Sequence, residues 1–282
     1  MKIAIASGKG GTGKTTVATN LARIAAVEGR NVVYLDCDVE EPNGHLFLKP
    51  TITHQQPIHK LLPVVDSARC TLCGDCARAC RYGAIACVGQ KVLIFGDLCH
   101  SCGGCVLACP VDAIAEHPKP IGELCRGTAG PVSFVEGRLN VGEAMSPPAI
   151  HEVKKAAPDS DMTILDCPPG TSCPVIESIR GADLVLLVTE PTPFGLNDLK
   201  LAVEMVRALK LPLAVVLNRC DIGDDRVRRY CDAQRIAIVA EIADDRAVAE
   251  AYSRGQLAGD VVPSFAAQIR ELLNCLTNGA RQ

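Results

Sequence analysis

The chain has no tryptophan, and aromatic residues fill only 3% of its 282 positions. Its core must therefore come from valine, isoleucine, leucine and alanine, which suits an α/β protein in a chain that is 48% hydrophobic. No apolar run reaches the roughly 18–20 residues of a membrane-spanning helix. Positive charge is not in surplus: 29 Lys and Arg stand against 32 Asp and Glu, for a net charge of −3. With no basic run either, a nucleic-acid partner is not expected. The N-terminus, Met1-Lys2-Ile3-Ala4-Ile5-Ala6, runs straight into a glycine-rich loop and leaves no room for a signal peptide. The 16 cysteines are thus not read as the disulfide framework of a small secreted protein, and a cytoplasmic location is expected.

Nine of those cysteines lie between positions 70 and 109, and eight of the nine form a repeat. Cys70, Cys73, Cys76 and Cys80 recur 29 positions later as Cys99, Cys102, Cys105 and Cys109, and Ala84-Ile85-Ala86 recurs as Ala113-Ile114-Ala115. Such a period marks one small unit used twice. Structural zinc, with four cysteines per ion, and disulfides are the alternatives to a metal cluster. Zinc sites usually place a longer gap between two Cys-x2-Cys pairs. The spacing is similar to that of bacterial ferredoxins with two 4Fe–4S clusters. It departs only at Arg81, where the fuller motif has the proline that follows Cys109. The resemblance implies crossed ligand sets, Cys70, Cys73, Cys76 with Cys109, and Cys99, Cys102, Cys105 with Cys80.

A short apolar strand, Lys2 to Ala6, leads into Gly8-Lys9-Gly10-Gly11-Thr12-Gly13-Lys14-Thr15-Thr16, and a helix follows to about Val27. This is a phosphate loop in strand–loop–helix context. Its glycines let backbone N–H groups point at phosphate oxygens, and the helix N-terminus adds positive potential. Lys14 would reach the β- and γ-phosphates, and the Thr15 hydroxyl would hold Mg2+. Two further apolar strands end in acid: 31–35 in Asp36-Cys37-Asp38, and 162–165 in Asp166-Cys167-Pro168-Pro169-Gly170. Carboxylates at strand ends sit where doubly wound sheets bind ligands. Strands over 184–188 and 213–217, the latter ending in Asn218-Arg219, alternate with helices over 197–209, 224–234 and 244–253. The predicted fold is α/β, a doubly wound, mostly parallel sheet with an inserted α+β ferredoxin-like domain. Residues 1–63 and 118–282 form the ATPase part and 64–117 the insert, closed by Pro118 and Pro120. Positions 44–63 show little periodicity and are read as irregular. Phe265, Ile269, Leu272, Leu273 and Leu276 share one face of a C-terminal helix, for core packing.

The loop with its early lysine resembles the deviant Walker A of the MinD, ParA, Mrp and nitrogenase iron-protein class, departing mildly at Thr12. The resemblance implies that Lys9 crosses a nucleotide-sandwich dimer to the partner's phosphates. It also implies that Asp38 positions the attacking water, that Asp36 and Asp166 serve the magnesium shell, and that Pro169 and Gly170 lie in the second switch. Asn218 and Arg219 would meet the adenine. The implied function is Mg-ATP hydrolysis in a homodimer, or a heterodimer with a related ATPase, coupled to electron transfer through two 4Fe–4S clusters to a redox partner. An Mrp-type cluster carrier with a cluster-accepting partner, and a MinD-like positioning ATPase with a redox sensor, are the alternatives. Cys125, Cys167 and Cys173 are candidates for a further ligand or redox contact; the other reading of Cys167 and Cys173 is small buried thiols.

Overall fold

The computed structural model describes residues 1–279. The strands are β1 (Lys2–Ala6), β2 (Val32–Asp36), β3 (Thr51–Val65), β4 (Ile85–Val88), β5 (Lys91–Ile94), β6 (Ile114–Ala129), β7 (Val132–Leu139), β8 (Met162–Asp166), β9 (Leu184–Thr189), β10 (Leu213–Asn218) and β11 (Ile238–Ile242). The helices are α1 (Lys14–Val27), α2 (Gly44–Leu48), α3 (Asp75–Ala79), α4 (Gly104–Leu107), α5 (Pro147–Lys155), α6 (Cys173–Ile179), α7 (Pro193–Ala208), α8 (Arg226–Gln234), α9 (Arg246–Ser253), α10 (Ala258–Val261) and α11 (Pro263–Gly279).

Among the described residues, nine strands form one sheet in the order β11-β10-β9-β1-β8-β2-β7-β6-β3. The run from β11 to β7 is parallel, and β6 and β3 extend it antiparallel. The central strands read as continuous apolar runs because helices cover both of their faces. One face packs against α1 and α11 through Leu21, Ile24, Ile269 and Leu273. The other packs against α5, α6 and α7 through Ile150, Val153, Ile179 and Val203. The five apolar positions expected to face inward from the C-terminal helix, Phe265 to Leu276, are all buried.

Positions 44–63 are not irregular. They form α2 and most of β3, a fifteen-residue edge strand paired along its length with β6. Its side chains are largely exposed, so no apolar period betrays it; the ladder is made by backbone groups. Pro118 and Pro120, expected as a boundary, lie inside β6 opposite Leu61 and His59. They are tolerated because β7 pairs with β6 only from Gly122 onward, leaving that stretch one open edge where no donor is needed. The far half of the β3–β6 hairpin therefore runs past the parallel sheet and carries residues 66–113 at its end.

That end is two-fold repetitive in backbone as well as sequence. Val65 pairs with Ile114 as Ile94 pairs with Ile85. Asp66 N–H donates to Ala113 O and Phe95 N–H to Ala84 O, both at 2.8 Å. Left-handed backbone recurs at Leu72 and Ser101, Gly74 and Gly103, and Gly83 and Asp112. Every pairing is spaced by 29 positions. Ile85, Ile114, Cys76 and Cys105 form its small core.

Candidate functional site

At the carboxyl ends of β1, β2 and β8 lies a cavity of about 400 Å³, the size of a small-ligand site. Gly10, Gly11, Gly13, Lys14, Thr15, Thr16, Asp38, Pro169, Asn218 and Arg219 all line it. The loop wraps as it does for local reasons. Gly13 has φ +94°, and a Cβ there would stand 2.5 Å from Asn218 Nδ2. The Asn218 amide donates to Thr12 O at 2.9 Å, bracing the loop from β10. Gly170 N–H donates to Ser7 O at 2.9 Å, tying the second acidic strand end to the loop. Gly8, Lys9, Thr12, Asp36, Asp166 and Gly170 are close by in the fold but do not line the cavity. Gly8 packs under α7, where a Cβ would meet Asp198 O at 2.3 Å.

Asp36 and Asp166 are register partners on β2 and β8, both fully inside the protein. Burial pushes the Asp36 carboxyl well up, and the neighbouring Asp166 charge adds to this. Burial also raises Asp166, against the pull of the Lys14 ammonium, the Thr15 hydroxyl and Tyr34. Asp166 Oδ2 accepts from the Tyr34 hydroxyl at 2.8 Å, while Asp166 Oδ1 has no hydrogen-bond partner among the described residues. Asp36 accepts from Gly44 N–H at 2.9 Å and Asp38 N–H at 3.2 Å. Two buried carboxyls, one with an unpartnered oxygen, beside a threonine hydroxyl are a hard oxygen donor set that fits a divalent cation such as Mg2+. A cation there would reverse the upward shifts. Asp38, at the cavity wall, is pushed up to about 6, chiefly by burial.

Lys9 lies 3.4 Å from Glu190, which also takes Arg219 Nη1 at 3.0 Å. Sequence reasoning passed over Glu190, and also the wall formed by Ile242, Val248, Tyr252 and Phe265. Those residues come from β11, α9 and α11, and only the fold brings them to the loop. The visible signal for Glu190 was its place directly after an apolar strand.

The eight clustered cysteines separate into two cavities at the hairpin end. Cys70, Cys73, Cys76 and Cys109 line one; Cys80, Cys99, Cys102 and Cys105 line the other. Ala84 N–H donates to Cys80 Sγ at 3.3 Å and Ala113 N–H to Cys109 Sγ at 3.2 Å, another pair of contacts repeated 29 positions apart. Among the described residues no group of three or more His, Cys, Asp or Glu is close enough to hold a single metal ion. Thiolates on the corners of a cubane stand farther apart than ligands of one ion, and four soft donors around each cavity fit such a group. Cys125 lies on β6, roughly 35 Å along the strand from Ile114 at about 3.3 Å per residue. Cys37 and Cys167 are buried, and burial raises both thiols. Cys173 is exposed at the start of α6.

No helix among the described residues is long and apolar enough to cross a membrane. The chain is 30% identical over 259 residues to an uncharacterized protein of Methanocaldococcus jannaschii, spanning 91% of this chain and 90% of that one. It is 26% identical to an iron-sulfur cluster carrier protein of Aquifex aeolicus, over 90% of this chain and 60% of the carrier. Its fold is similar to that of the septum site-determining protein MinD of Pyrococcus horikoshii, solved with Mg-ADP. The TM-score is 0.61 at 21% identity, over 96% of this chain and 93% of that one. With a family model matched over residues 3–258, nearly the whole chain, this protein belongs to the CobQ/CobB/MinD/ParA nucleotide-binding domain family.

Proposed function

We propose that the chain is a Mg-ATP-hydrolysing switch that carries two 4Fe–4S clusters in residues 64–117 and passes electrons to a protein partner according to its nucleotide state. The observation that carries this reading is the sorting of the cysteines into two cavities, each lined by one crossed set, on a hairpin rooted beside the nucleotide cavity's acidic strands. When bound, each cluster supplies a one-electron carrier held by four thiolates.

On the nucleotide side, the N–H groups of Gly10 to Thr15 and the start of α1 hold phosphate charge, and Lys14 neutralises it. Thr15, Asp36 and Asp166 would hold Mg2+. Asp38 lines the cavity, where its carboxylate would orient the attacking water and accept its proton. Lys9 is only one-third exposed and is held in cis by Glu190. Closure of a second subunit over the loop would exchange that carboxylate for the partner's phosphates. Asn218 holds the loop from the base side.

Anaerobically purified protein is expected to contain eight iron and eight sulfide per chain, with both sets of four cysteines protected from alkylation. Zinc in place of iron, or alkylation of all eight thiols at full iron loading, would overturn the reading. A cluster-carrier function is the second reading, favoured by the relatives named as iron-sulfur cluster carriers. Rapid transfer of iron and sulfide to an apo-ferredoxin would favour the carrier. Retention of the clusters through ATP turnover would favour electron transfer.

A further inference from the structure

The first acidic loop after β2 leads through α2 into the hairpin that carries the cysteines, and both are held from a distant part of the chain by the same short stretch, residues 139–146. On one side, Leu139 N–H donates to Val39 O at 2.9 Å, and the Ser146 hydroxyl donates to Glu40 Oε1 at 2.9 Å. Val39 and Glu40 directly follow Asp38 at the nucleotide cavity. On the other side, Asn140 N–H donates to Ile121 O at 2.9 Å. Glu143 takes both arms of the hairpin at once. Lys60 on β3 and Lys119 on β6 are register partners; Lys60 Nζ forms an ion pair with Glu143, and Lys119 Nζ lies 3.5 Å from its other oxygen. Lys119 also reaches Asp97, at 3.8 Å, in the cysteine-bearing part.

The Lys60 side chain is completely buried and that of Glu143 nearly so. A buried ion pair is not the cheapest way to stabilise a fold, since matched apolar residues often do as well or better. What it supplies is directionality: the pair is tight in one relative placement of its partners and poor in others. Removing Glu143 would leave the Lys60 ammonium in the interior with no anion.

We infer that residues 139–146 are a coupling element, in which Ser146 and Glu143 convey the position of the 38–41 loop to the root of the cysteine-bearing hairpin through Lys60 and Lys119. This rests on the proposed nucleotide-dependent switch and names the parts that would link it to the clusters. When the loop that bears Asp38 and Glu40 changes its hold on nucleotide, Ser146 and Leu139 follow it, and Glu143 moves against the two lysines. The element has two settings only if both ends bias it, so the test must read both ends separately.

The test is hydrogen–deuterium exchange of the anaerobic holoprotein in Mg-ADP against Mg-AMPPNP. In the wild-type chain, amides of 38–44 and of the hairpin root, 58–62 and 117–121, are expected to change protection together. The paired replacement Lys60→Met/Glu143→Leu keeps the volume filled and leaves no lone buried charge. With it, the change at 38–44 is expected to persist and the change at the hairpin root to be lost, with iron content equal to wild type. Ser146→Ala, which cuts the path at its other end, is expected to reduce the hairpin response at least twofold. If the wild-type loop responds and the hairpin does not, or if the paired variant keeps the hairpin response, the coupling is refuted while the nucleotide reading stands. If 38–44 ignores nucleotide altogether, the nucleotide reading falls and the coupling falls with it.

Discussion

The hydroxyl of Tyr34 offers a direct probe of the buried acidic pair. It donates to Asp166 Oδ2 at 2.8 Å from a side chain with no exposed surface. Tyr34→Phe removes one oxygen and leaves the ring, which is stacked on Phe134 with centroids 5.7 Å apart. The loss is therefore that of the hydrogen bond. A bond to a charged acceptor contributes about 1.5–3 kcal/mol, and Asp166 Oδ1 has no partner with which to compensate. In a chain of this size each kcal/mol moves the midpoint by about 2–4 °C, so the variant without nucleotide is expected to melt roughly 3–12 °C lower. Saturating Mg-ADP should shrink that deficit, because a cation beside Asp166 supplies the positive potential the hydroxyl gave. Anaerobic thermal unfolding, followed by near-ultraviolet circular dichroism with and without Mg-ADP, reads both values. An unchanged midpoint would refute the energetic role of the bond. An equal deficit with and without Mg-ADP would refute the placement of the cation at Asp166.

Other substitutions separate the parts of the site. Lys14→Ala removes a charge-assisted phosphate contact of about 1.5–3 kcal/mol and is expected to weaken ATP binding about 10- to 150-fold, measured by calorimetry. Lys9→Ala is expected to leave single-subunit nucleotide affinity within about threefold, since Lys9 does not line the cavity, yet to abolish ATP-dependent dimerisation in sedimentation runs. Cys80→Ala is expected to halve the iron content and to expose Cys102 to alkylation while Cys73 stays protected. The reverse pattern would refute the crossed ligand sets.

Much of the parallel sheet was legible because each buried strand is a dense apolar run that stops at a polar residue: Asp36, Asp166 and Asn218 mark three such ends. The phosphate loop was legible for a similar reason, since Gly8 occupies a crowded position and Gly11 and Gly13 left-handed ones. The cysteine sets were visible as a repeat, and the backbone repeats with them at Leu72 and Ser101 and at Gly74 and Gly103. What could not be read depends on pairing between distant segments. β3 shows a polar, exposed sequence, and its partner lies beyond the whole cysteine stretch. Lys60 and Glu143 carry no local sign of being buried together. Tyr252 and Phe265 reach the nucleotide cavity only because α11 packs against α1 and α9 against α10, with Tyr252 on Phe47 of α2. Glu190 gained its meaning from Lys9, which the chain places on the loop after another strand.

The most direct test of the account is the rate at which dithionite-reduced, anaerobic protein passes electrons to a one-electron acceptor such as methyl viologen or cytochrome c. It is measured in Mg-ATP and in Mg-ADP, with iron content confirmed in each sample. The account expects a faster rate in Mg-ATP, and it expects Lys60→Met/Glu143→Leu to abolish the difference. Equal rates in the two nucleotides for the wild-type chain, with both clusters present, would contradict it.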